Sequence, residues 1–360
     1  MSKKKIRVAV IGATGYVGQR FVTLLEDHPF FDLQVLVAGP KSKGKTYQQA
    51  CQDRWKLELP MPQRLEDTLV YGTDELDQWC EGVDLAFCAV DMDKAALIAL
   101  EERIARQEIP LVSNNSANRW TRDVPIIIPE INSQHFAVLE SQKKRLGTQK
   151  GFLVAKPNCS VQTFLPALEP LRDFGLEKVF VSTYQAVSGA GRRLEDWPEM
   201  QGNVIPFISG EEKKTEEEPL KIWGRVEGDH IVRSDQPIIS SQCTRVAVQE
   251  GHLANVWVKF REPCEREEIL RRWRDYCPLP QALDLPSAPQ PFLSYREEAD
   301  RPQPQLDTLS CKGMGITMGR LREDSIYDYK FSCLSSNTIR GAAGGAILTA
   351  ELLYKQGYLD

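Results

Sequence analysis

Apolar residues in the first third of the chain fall into short runs separated by stretches with helical spacing. Ile6–Ile11, 33–38 and 83–90 are runs rich in Val, Leu and Ala whose length suits buried strands of a parallel sheet. Apolar residues at helical spacing follow two of these runs, at 21–25 and 93–106. This alternation predicts an α/β domain built on a Rossmann-type, doubly wound parallel sheet.

The pattern changes from about residue 151 onwards. Residues 178–187 and 254–262 are rich in β-branched and aromatic residues, which predicts two longer strands, expected to be antiparallel. Between them, the charged segment 210–222 predicts a helix, whereas the proline-rich segment 278–306 predicts a long irregular excursion. Small residues followed by Ile and Leu in 339–357 predict a closely packed final helix. A second, α+β unit with different architecture is therefore expected.

Composition and charge exclude several classes of protein. The chain has 360 residues, 42% hydrophobic and 26% charged, with a formal net charge of −5. That is enough apolar material for two folded domains, and a mildly acidic chain is a poor partner for nucleic acid or an anionic membrane. No apolar run reaches the roughly 18–20 residues that span a bilayer, and the first one stops at Gly12, too early for a signal peptide. The nine cysteines include no CxxC pair, which indicates reduced thiols in a cytoplasmic protein and no metal site.

The segment GATGYVG, residues 12–18, lies between the first strand and a helix. Glycines in this position allow a tight turn and bring backbone amides close to a pyrophosphate at the helix N-terminus. The spacing is GxxGxxG rather than GxGxxG, so a plain glycine-rich turn is the alternative. The candidate cofactor ligands in this turn are Gly12, Thr14, Gly15, Tyr16 and Val17.

The end of the second strand bears on the choice of dinucleotide. NAD enzymes usually carry Asp or Glu there to bind the ribose hydroxyls, but residues 37–40 contain no acid. Lys41, Ser42, Lys43 and Lys45 follow, and cations with a hydroxyl suit a 2′-phosphate. NADP is therefore the favoured cofactor, with Lys41 and Ser42 as its candidate ligands; a solvated lysine loop is the alternative.

Cys159 differs from the other cysteines because it stands between an apolar stretch, 151–155, and a helical one. A cysteine at a helix N-terminus feels the positive end of the helix dipole, which lowers the thiol pKa. Asn158 and nearby backbone amides can donate hydrogen bonds to an oxyanion. The other eight cysteines are interpreted as small buried hydrophobes.

A nucleophilic cysteine needs a proton partner, and His252 is the candidate among four histidines. A single histidine is more often structural or exposed. Arg245, in the same β-rich segment, suits a bidentate clamp for a carboxylate.

Seven blocks resemble aspartate-β-semialdehyde dehydrogenase of the archaeal and fungal branch, in the family's order and over nearly the whole chain. The blocks are GATGYVG (12–18), SNNSANR (113–119), PNCSVQ (157–162), TYQAVSGAG (183–191), GEEKKTEEEPLKI (210–222), CTRVAVQEGH (243–252) and SNTIRGAAGG (336–345). The resemblance implies NADPH-dependent reduction of L-aspartyl 4-phosphate to L-aspartate 4-semialdehyde with release of phosphate, on the route to lysine, threonine and methionine.

The resemblance also implies roles for individual residues. Cys159 would be the nucleophile and His252 the acid/base, while Arg245 would bind the substrate α-carboxylate. Gln185 would orient the substrate, and Arg119 would hold the departing phosphate. Around the cofactor, the implied contacts are Asn337 to the nicotinamide carboxamide, with Ser188 and Gly189 beside it.

One Glu/Lys pair remains ambiguous. The family uses a Glu for the substrate amino group and a Lys three residues later for phosphate, and both Glu211/Lys214 and Glu218/Lys221 have this spacing. Glu218/Lys221 is slightly preferred here by its distance from Arg245, and a solvated charged helix is the interpretation for the unused pair.

The blocks also imply the architecture and the competing functions. The NADP-binding domain is expected at 1–156, completed by 339–360, and a catalytic and dimerisation domain with a large mixed sheet at 157–338, in a homodimer or homotetramer. Malonyl-CoA reductase and N-acetyl-γ-glutamyl-phosphate reductase have a similar framework or mechanism. A non-catalytic NADP-binding regulator is the alternative outside enzymes.

Overall fold

The computed structural model describes residues 4–359, and its N-terminal part is built on a six-stranded sheet. Its strands are β1 (Ile6–Ile11), β2 (Phe31–Ala38), β3 (Val70–Gly72), β4 (Leu85–Cys88), β5 (Leu111–Ser113) and β6 (Leu153–Ala155). All neighbours are parallel, in the order β3-β2-β1-β4-β5-β6. This is the strand order of a Rossmann-type sheet, so the predicted fold class of this part is confirmed.

The second sheet is mixed and has seven strands. The strands after β6 are β7 (Leu176–Gln185), β8 (Val204–Ile205), β9 (Arg225–Glu227), β10 (His230–Val232), β11 (Ile238–Val246), β12 (His252–Phe260), β13 (Leu293–Arg296), β14 (Ile316–Glu323) and β15 (Tyr329–Ser335). The order is β13-β14-β15-β12-β7-β11-β8, while β9 and β10 form a separate ribbon. The two predicted long strands, β7 and β12, are antiparallel neighbours at its centre.

Helices cover both sheets. They are α1 (Tyr16–Leu24), α2 (Tyr47–Cys51), α3 (Leu76–Trp79), α4 (Lys94–Arg106), α5 (Pro129–Asn132), α6 (Leu139–Leu146), α7 (Val161–Leu168), α8 (Glu211–Ile222), α9 (Arg266–Asp275), α10 (Leu279–Ala282), α11 (Pro304–Asp307) and α12 (Gly344–Lys355). In the part of the chain described, no helix is long and apolar enough to cross a membrane.

Two segments differ in detail from the expectation. The proline-rich stretch 278–306 is not wholly irregular, because β13 lies within it and pairs in parallel with β14. The final segment begins with a π-helical turn, Ile339–Ala343, before α12. Both differences arise from tertiary contacts that periodicity does not report.

The final helix packs on the first sheet although it follows the second sheet in sequence. Ile347, Leu348 and Leu352 of α12 belong to the same buried apolar cluster as Val8 of β1 and Phe87 of β4. Every residue of α12 from Gly344 to Leu353 is buried. A mostly apolar helix that is buried on all sides must be surrounded by protein, which is why this segment returns to the first sheet.

A buried ion pair anchors the start of this returning segment. Arg340, in the π-helical turn, donates to both carboxylate oxygens of Glu130 in α5, at 2.6 and 2.7 Å. Both side chains are completely buried, and the guanidinium also lies over the ring of Phe292, 4.8 Å from its centroid. The pair therefore ties the turn to the first domain at a point where neither charge reaches water.

We predict that Arg340→Met lowers the free energy of unfolding by about 3–5 kcal/mol, because it leaves the Glu130 carboxylate buried without its partner. Urea denaturation at fixed protein concentration measures the change. Arg103→Met is the matched control, because its partner Asp77 is mostly exposed and the pair is worth little. The double variant Arg340→Met/Glu130→Gln should recover part of the loss; equal stability of Arg340→Met and wild type would contradict this account.

Candidate active site

Three neighbouring strands of the mixed sheet bring polar side chains to one edge. Arg245 near the end of β11 is paired with Gln185 at the end of β7. On the other side of β7, Leu253 pairs with Tyr184, so His252 at the start of β12 lies beside the same end. Arg245, Gln185 and His252 are all buried, at 5%, 1% and 1% exposure. Strand register thus assembles three of the predicted site residues.

The segment between β6 and α7 carries Cys159 to this edge. Cys159 stands two residues before α7, whose N-cap is Ser160, and the backbone N–H of Ser160 donates to Asn158 Oδ1 at 2.9 Å. Thr163 in the first turn of α7 forms a hydrogen bond of 2.8 Å with Ser335, which is paired with His252. The helix that follows the cysteine is therefore attached to the strand next to β12.

Burial dominates the protonation of Cys159. Its side chain keeps some exposure, but surrounding protein raises the pKa of the thiol to about 11 and the carboxylate of Glu211 adds to the rise, whereas Lys156, Arg245 and Arg119 oppose it. The low thiol pKa expected from the helix terminus is therefore not observed, because burial raises the pKa of Cys159 instead. Desolvation of the charged form outweighs the nearby cations.

His252 is neutral in this environment. Burial, followed by the positive charge of Arg245, lowers the pKa of its imidazole to about 3. Nδ1 accepts the backbone N–H of Ala186 at 3.1 Å, so the proton of the neutral ring belongs on Nε2. Nε2 is buried and has no hydrogen-bond partner among residues 4–359. It is a donor left free for a bound molecule.

Gly189 leaves the space in front of these groups open. A Cβ at this position would lie 3.0 Å from His252 Nε2 and 3.0 Å from Arg245 Nη1. Arg245 is held by one hydrogen bond of 2.7 Å from Nη1 to the carbonyl of Ala186. The backbone of Gly189 therefore forms one wall of a small polar site between the arginine and the imidazole.

Glu211, the first residue of α8, belongs to this site. Its carboxylate accepts from Gln185 Nε2 at 3.1 Å, from Asn158 Nδ2 at 2.9 and 3.0 Å, and from Lys214 Nζ at 2.9 Å. Burial alone would raise its pKa, but Lys214 and the two amides outweigh burial and lower it. An ionised carboxylate with a lysine beside it thus faces Gln185. The amide of Asn158, a predicted oxyanion donor, is directed at this carboxylate instead.

Glu218 and Lys221 are occupied inside the protein. Glu218 is fully buried, and its oxygens accept from Arg119 Nη1 at 2.8 Å and from the backbone N–H of Asn158 at 2.7 Å. Lys221 Nζ donates to the carbonyls of Arg119 and Thr121 at 2.6 and 2.9 Å. This pair holds the loop after β5, so the slight preference for it as the substrate pair is not supported by the geometry.

The guanidinium of Arg119 also has its hydrogen-bond acceptors inside the protein. Besides Glu218, it donates from Nε to the carbonyl of Lys156 at 2.9 Å and from Nη2 to that of Asn114 at 3.0 Å. Its side chain is 5% exposed. To bind a phosphate directly, Arg119 would have to exchange one of these acceptors.

The glycine-rich turn has the shape that a dinucleotide requires. Gly12 has a φ of +90°, and a Cβ there would lie 2.5 Å from the carbonyl oxygen of Ala89 after β4. A Cβ on Gly18 would meet the Gly12 oxygen at 2.0 Å. Gly15 is the N-cap of α1, with no side-chain cap and no acid in the first turn. A helix N-terminus that has neither a side-chain cap nor an acid suits a pyrophosphate, so this turn fits the expected cofactor.

A cleft of about 260 Å³ opens beside this turn, at the carboxyl ends of β4 and β5. Its walls include Ala89, Val90, Lys94 and the segment 115–117. Ligands of doubly wound sheets bind at this edge. Thr14 is partly exposed there, while Tyr16 donates to Glu250 at 2.7 Å and Val17 packs on the core.

The candidate 2′-phosphate residues have different surroundings. Ser42 is buried and its hydroxyl accepts from Arg54 Nη2 at 3.0 Å, whereas Lys41 is exposed. Lys43 is paired with Asp74 and Glu75, so it is not free for phosphate. Arg54 was not predicted as a neighbour of Ser42, because it lies twelve positions later in the chain and only the fold around α2 brings the two side chains together.

Asn337 links Ser188 with Gly251, the residue before His252. Its Oδ1 accepts the backbone N–H of Gly251 at 2.9 Å, and its Nδ2 donates to Ser188 Oγ at 2.8 Å. Asn337 and Ser188 are therefore hydrogen-bonded to each other, and Gly189 lies next to His252; their contacts with a cofactor stay a prediction. Glu101 is a second residue that was not predicted from the sequence. Its buried carboxylate accepts hydrogen bonds from Asn118, at 2.7 Å, and from Ser113, and so it stabilises the loop leading to Arg119.

Two protein-family models match the chain. The model described as "Semialdehyde dehydrogenase, NAD binding domain" matches residues 7–139. The model described as "Semialdehyde dehydrogenase, dimerisation domain" matches residues 168–340. The fold and the site thus define a two-domain enzyme of the semialdehyde dehydrogenase class.

Similar full-length proteins narrow the class. An aspartate-semialdehyde dehydrogenase of Archaeoglobus fulgidus is 40% identical, covering 97% of this chain and 98% of its own, and one of Aspergillus fumigatus is 40% identical with 99% of both covered. A Candida albicans aspartate-semialdehyde dehydrogenase, solved with NADP, superposes with a TM-score of 0.88 at 34% identity, over 99% of this chain and 100% of that one. The chain belongs to the aspartate-semialdehyde dehydrogenase family, which confirms the resemblance seen in the seven blocks.

We predict that His252 makes the protein sensitive to acid. Its pKa rises from about 3 in the folded state to the ordinary value near 6.5 on unfolding, so below pH 6.5 only the unfolded chain binds this proton. Stability should therefore fall as pH decreases from 6.5 towards 4, by up to about 1.4 kcal/mol per pH unit more than in His252→Gln. Urea midpoints across this range measure it. His230→Gln, at a surface histidine, should follow wild type; a His252→Gln variant that does so too would disprove the assignment.

Proposed function

We propose that this protein converts L-aspartyl 4-phosphate and NADPH into L-aspartate 4-semialdehyde, phosphate and NADP⁺ through a thioester on Cys159. The observation that carries the proposal is the meeting of the Cys159 loop with Arg245, Gln185 and His252 at one edge of the mixed sheet, next to the ionised Glu211. These residues provide a nucleophile, a guanidinium that can bind a carboxylate, a carboxylate that can bind an ammonium group, and a free hydrogen-bond donor. Such a combination suits an amino-acid acyl phosphate.

Substrate recognition follows from the charges. Arg245 binds the α-carboxylate, because its guanidinium has one hydrogen bond to a carbonyl and can accept a carboxylate on its remaining donors. Glu211 binds the α-ammonium and Lys214 meets the phosphate. Gln185, which already donates to Glu211, orients the substrate between them. Glu218 and Lys221 support the loop that carries Arg119.

In the first half-reaction the Cys159 thiolate attacks the acyl carbon, and the C–O bond to phosphate breaks as the thioester forms. The tetrahedral oxyanion needs donors, and the unpartnered Nε2–H of His252 is one. Lys214 and the guanidinium of Arg119 surround the departing phosphate with positive charge.

In the second half-reaction the thioester carbon is reduced to the aldehyde and Cys159 is released. NADPH supplies the hydride when bound. Gly189 and Ser188, held by Asn337, place the nicotinamide side of the site next to His252. His252 again stabilises the oxyanion through Nε2–H, and as the carbonyl of the aldehyde re-forms the C–S bond breaks and releases Cys159 as the thiolate with which the cycle began.

The family also suggests the setting. The product feeds lysine, threonine and methionine synthesis. The second domain, which matches a dimerisation domain, forms a homodimer or a tetramer of dimers.

The reverse reaction tests the proposal. Aspartate semialdehyde with NADP⁺ should give NADPH only when phosphate is present, measured at 340 nm. Cys159→Ser should lose at least about 10³-fold in kcat because an alcohol is a far weaker nucleophile, while binding of 2′,5′-ADP stays as in wild type. Cys333→Ser, at a buried cysteine of β15, is the control. Turnover of malonyl-CoA alone would point to the related reductase, and a fully active Cys159→Ser would exclude a thioester.

The two Glu/Lys pairs are separated by two isosteric variants. Glu211→Gln should raise KM for aspartate semialdehyde about tenfold or more, because the ammonium loses its counter-charge, with the urea midpoint little changed. Glu218→Gln should lower the urea midpoint, because Arg119 is left buried without its anion, and change KM less. The reverse result, with KM moving in Glu218→Gln, would assign that pair to the substrate.

A further inference from the structure

Lys156 is a buried amine placed directly before the nucleophile loop. It follows β6 and is 2% exposed. Its Nζ donates to the carbonyl oxygens of Pro157, at 3.1 Å, and of Gly341. Both acceptors are neutral carbonyls, so these hydrogen bonds do not neutralise the charge of a protonated Lys156. A lysine is seldom buried in this way without a paired acid, because desolvation of the ammonium is costly.

The acceptor Gly341 is in direct contact with the nucleophile. A Cβ on Gly341 would lie 2.8 Å from Cys159 Cβ and 3.2 Å from Cys159 Cα. Gly341 belongs to the turn that Arg340 anchors through Glu130. Lys156 is therefore connected to Cys159 through the Gly341 peptide, which contacts the Cα and Cβ of the cysteine.

The charges around Cys159 show why its thiolate needs a further positive group nearby. Burial and Glu211 disfavour the thiolate, while Arg245, Arg119 and Lys156 favour it. His252 is neutral near pH 7, so the imidazole does not provide a positive partner. Arg119 is already paired with Glu218, and Arg245 is committed to the substrate carboxylate in the proposed function. Lys156 is the remaining cation. Its hydrogen bonds go to neutral carbonyls, and the proposed function gives it no role in binding the substrate.

We propose that Lys156 is a positioning residue for the nucleophile: its buried ammonium, fixed between the carbonyls of Pro157 and Gly341, stabilises the thiolate of Cys159. The inference rests on the proposed role of Cys159 as nucleophile. The charges that act on Lys156 are those of Cys159, Arg119, Arg340 and Glu218. Burial is the largest influence and lowers its pKa well below the usual value, whereas a thiolate at Cys159 raises it, so each of the two charged forms favours the other.

The test is the pH dependence of alkylation of Cys159 by iodoacetamide in the full-length protein, followed on the Cys159 peptide by mass spectrometry. Lys156→Met keeps the length of the side chain and removes its charge. Its midpoint pH should rise by about one unit or more, so the alkylation rate at pH 7 should fall about tenfold. Lys156→Gln keeps an amide donor for a carbonyl and should shift in the same direction. Lys156→Arg keeps the charge and should stay close to wild type.

Lys221→Met provides the matched control. Lys221 is also buried, and its Nζ also donates to two backbone carbonyls, but these belong to the loop after β5. The midpoint for Cys159 should stay near the wild-type value in this variant. Binding of 2′,5′-ADP shows that each variant is folded.

An unchanged midpoint in folded Lys156→Met and Lys156→Gln, or an equal shift in Lys221→Met, would overturn the inference. A poorly folded Lys156→Met leaves the decision to Lys156→Gln and Lys156→Arg. The outcome is independent of the reaction assay: an active Cys159→Ser would refute the proposed function, whereas an unchanged midpoint with Cys159 still essential would refute only the role of Lys156.

Discussion

Glu211 and Glu218, on one face of α8, both accept hydrogen bonds from Asn158, and the geometry of the site depends on these hydrogen bonds. Glu211 and Glu218 are seven residues apart, or about two helical turns, so their side chains leave the helix in the same direction. Glu218 accepts the backbone N–H of Asn158, and Glu211 accepts its side-chain amide. Because Cys159 is the next residue, a helix of the second domain determines where this proposed nucleophile lies on a loop that leaves the first sheet.

The two buried carboxylates also determine where positive charge is needed. Buried anions require positive partners, since an unpaired charge in a protein interior is costly. Glu218 has Arg119 and Glu211 has Lys214. Arg245 and Lys156 differ, because their hydrogen bonds go to backbone carbonyls. Their positive charge is available for a substrate carboxylate on one side of the thiol and for the thiolate on the other. This excess of positive charge suits the proposed reaction, in which the substrate and the thiolate are both anionic.

Local patterns were sufficient to predict the parallel sheet, the central antiparallel strands, α8 and the final helix, because each is encoded in periodicity along one segment. β13 was missed because it has only four residues among prolines and is stabilised by β14. The Glu/Lys pairs were undecidable, because Glu211/Lys214 and Glu218/Lys221 have the same spacing and lie on the same helical face. Only the docking of α8 on the Asn158 loop distinguishes them.

Tertiary contact also explains why Lys156 and the pKa of Cys159 escaped prediction. The helix after Cys159 indicated a lowered thiol pKa, but a sequence does not show how deeply a residue will be buried. Lys156 gains its position only when the turn at 339–343 packs against the loop, which requires the last segment of the chain to return to the first sheet.

Burial of Cys159 and of His252 restricts how a thiolate can form at Cys159. Burial raises the pKa of the thiol to about 11 and lowers the pKa of the imidazole to about 3, so transfer of the proton from sulfur to His252 is unfavourable. A thiolate–imidazolium pair is therefore the less favourable arrangement, and fixed cations must supply the stabilisation that the imidazole does not. Three of them, Lys156, Arg245 and Arg119, act on the sulfur from different elements of the fold. A thiolate at Cys159 thus depends on cations from both domains, because the first-domain loop carries Arg119, Lys156 follows β6 and β11 carries Arg245.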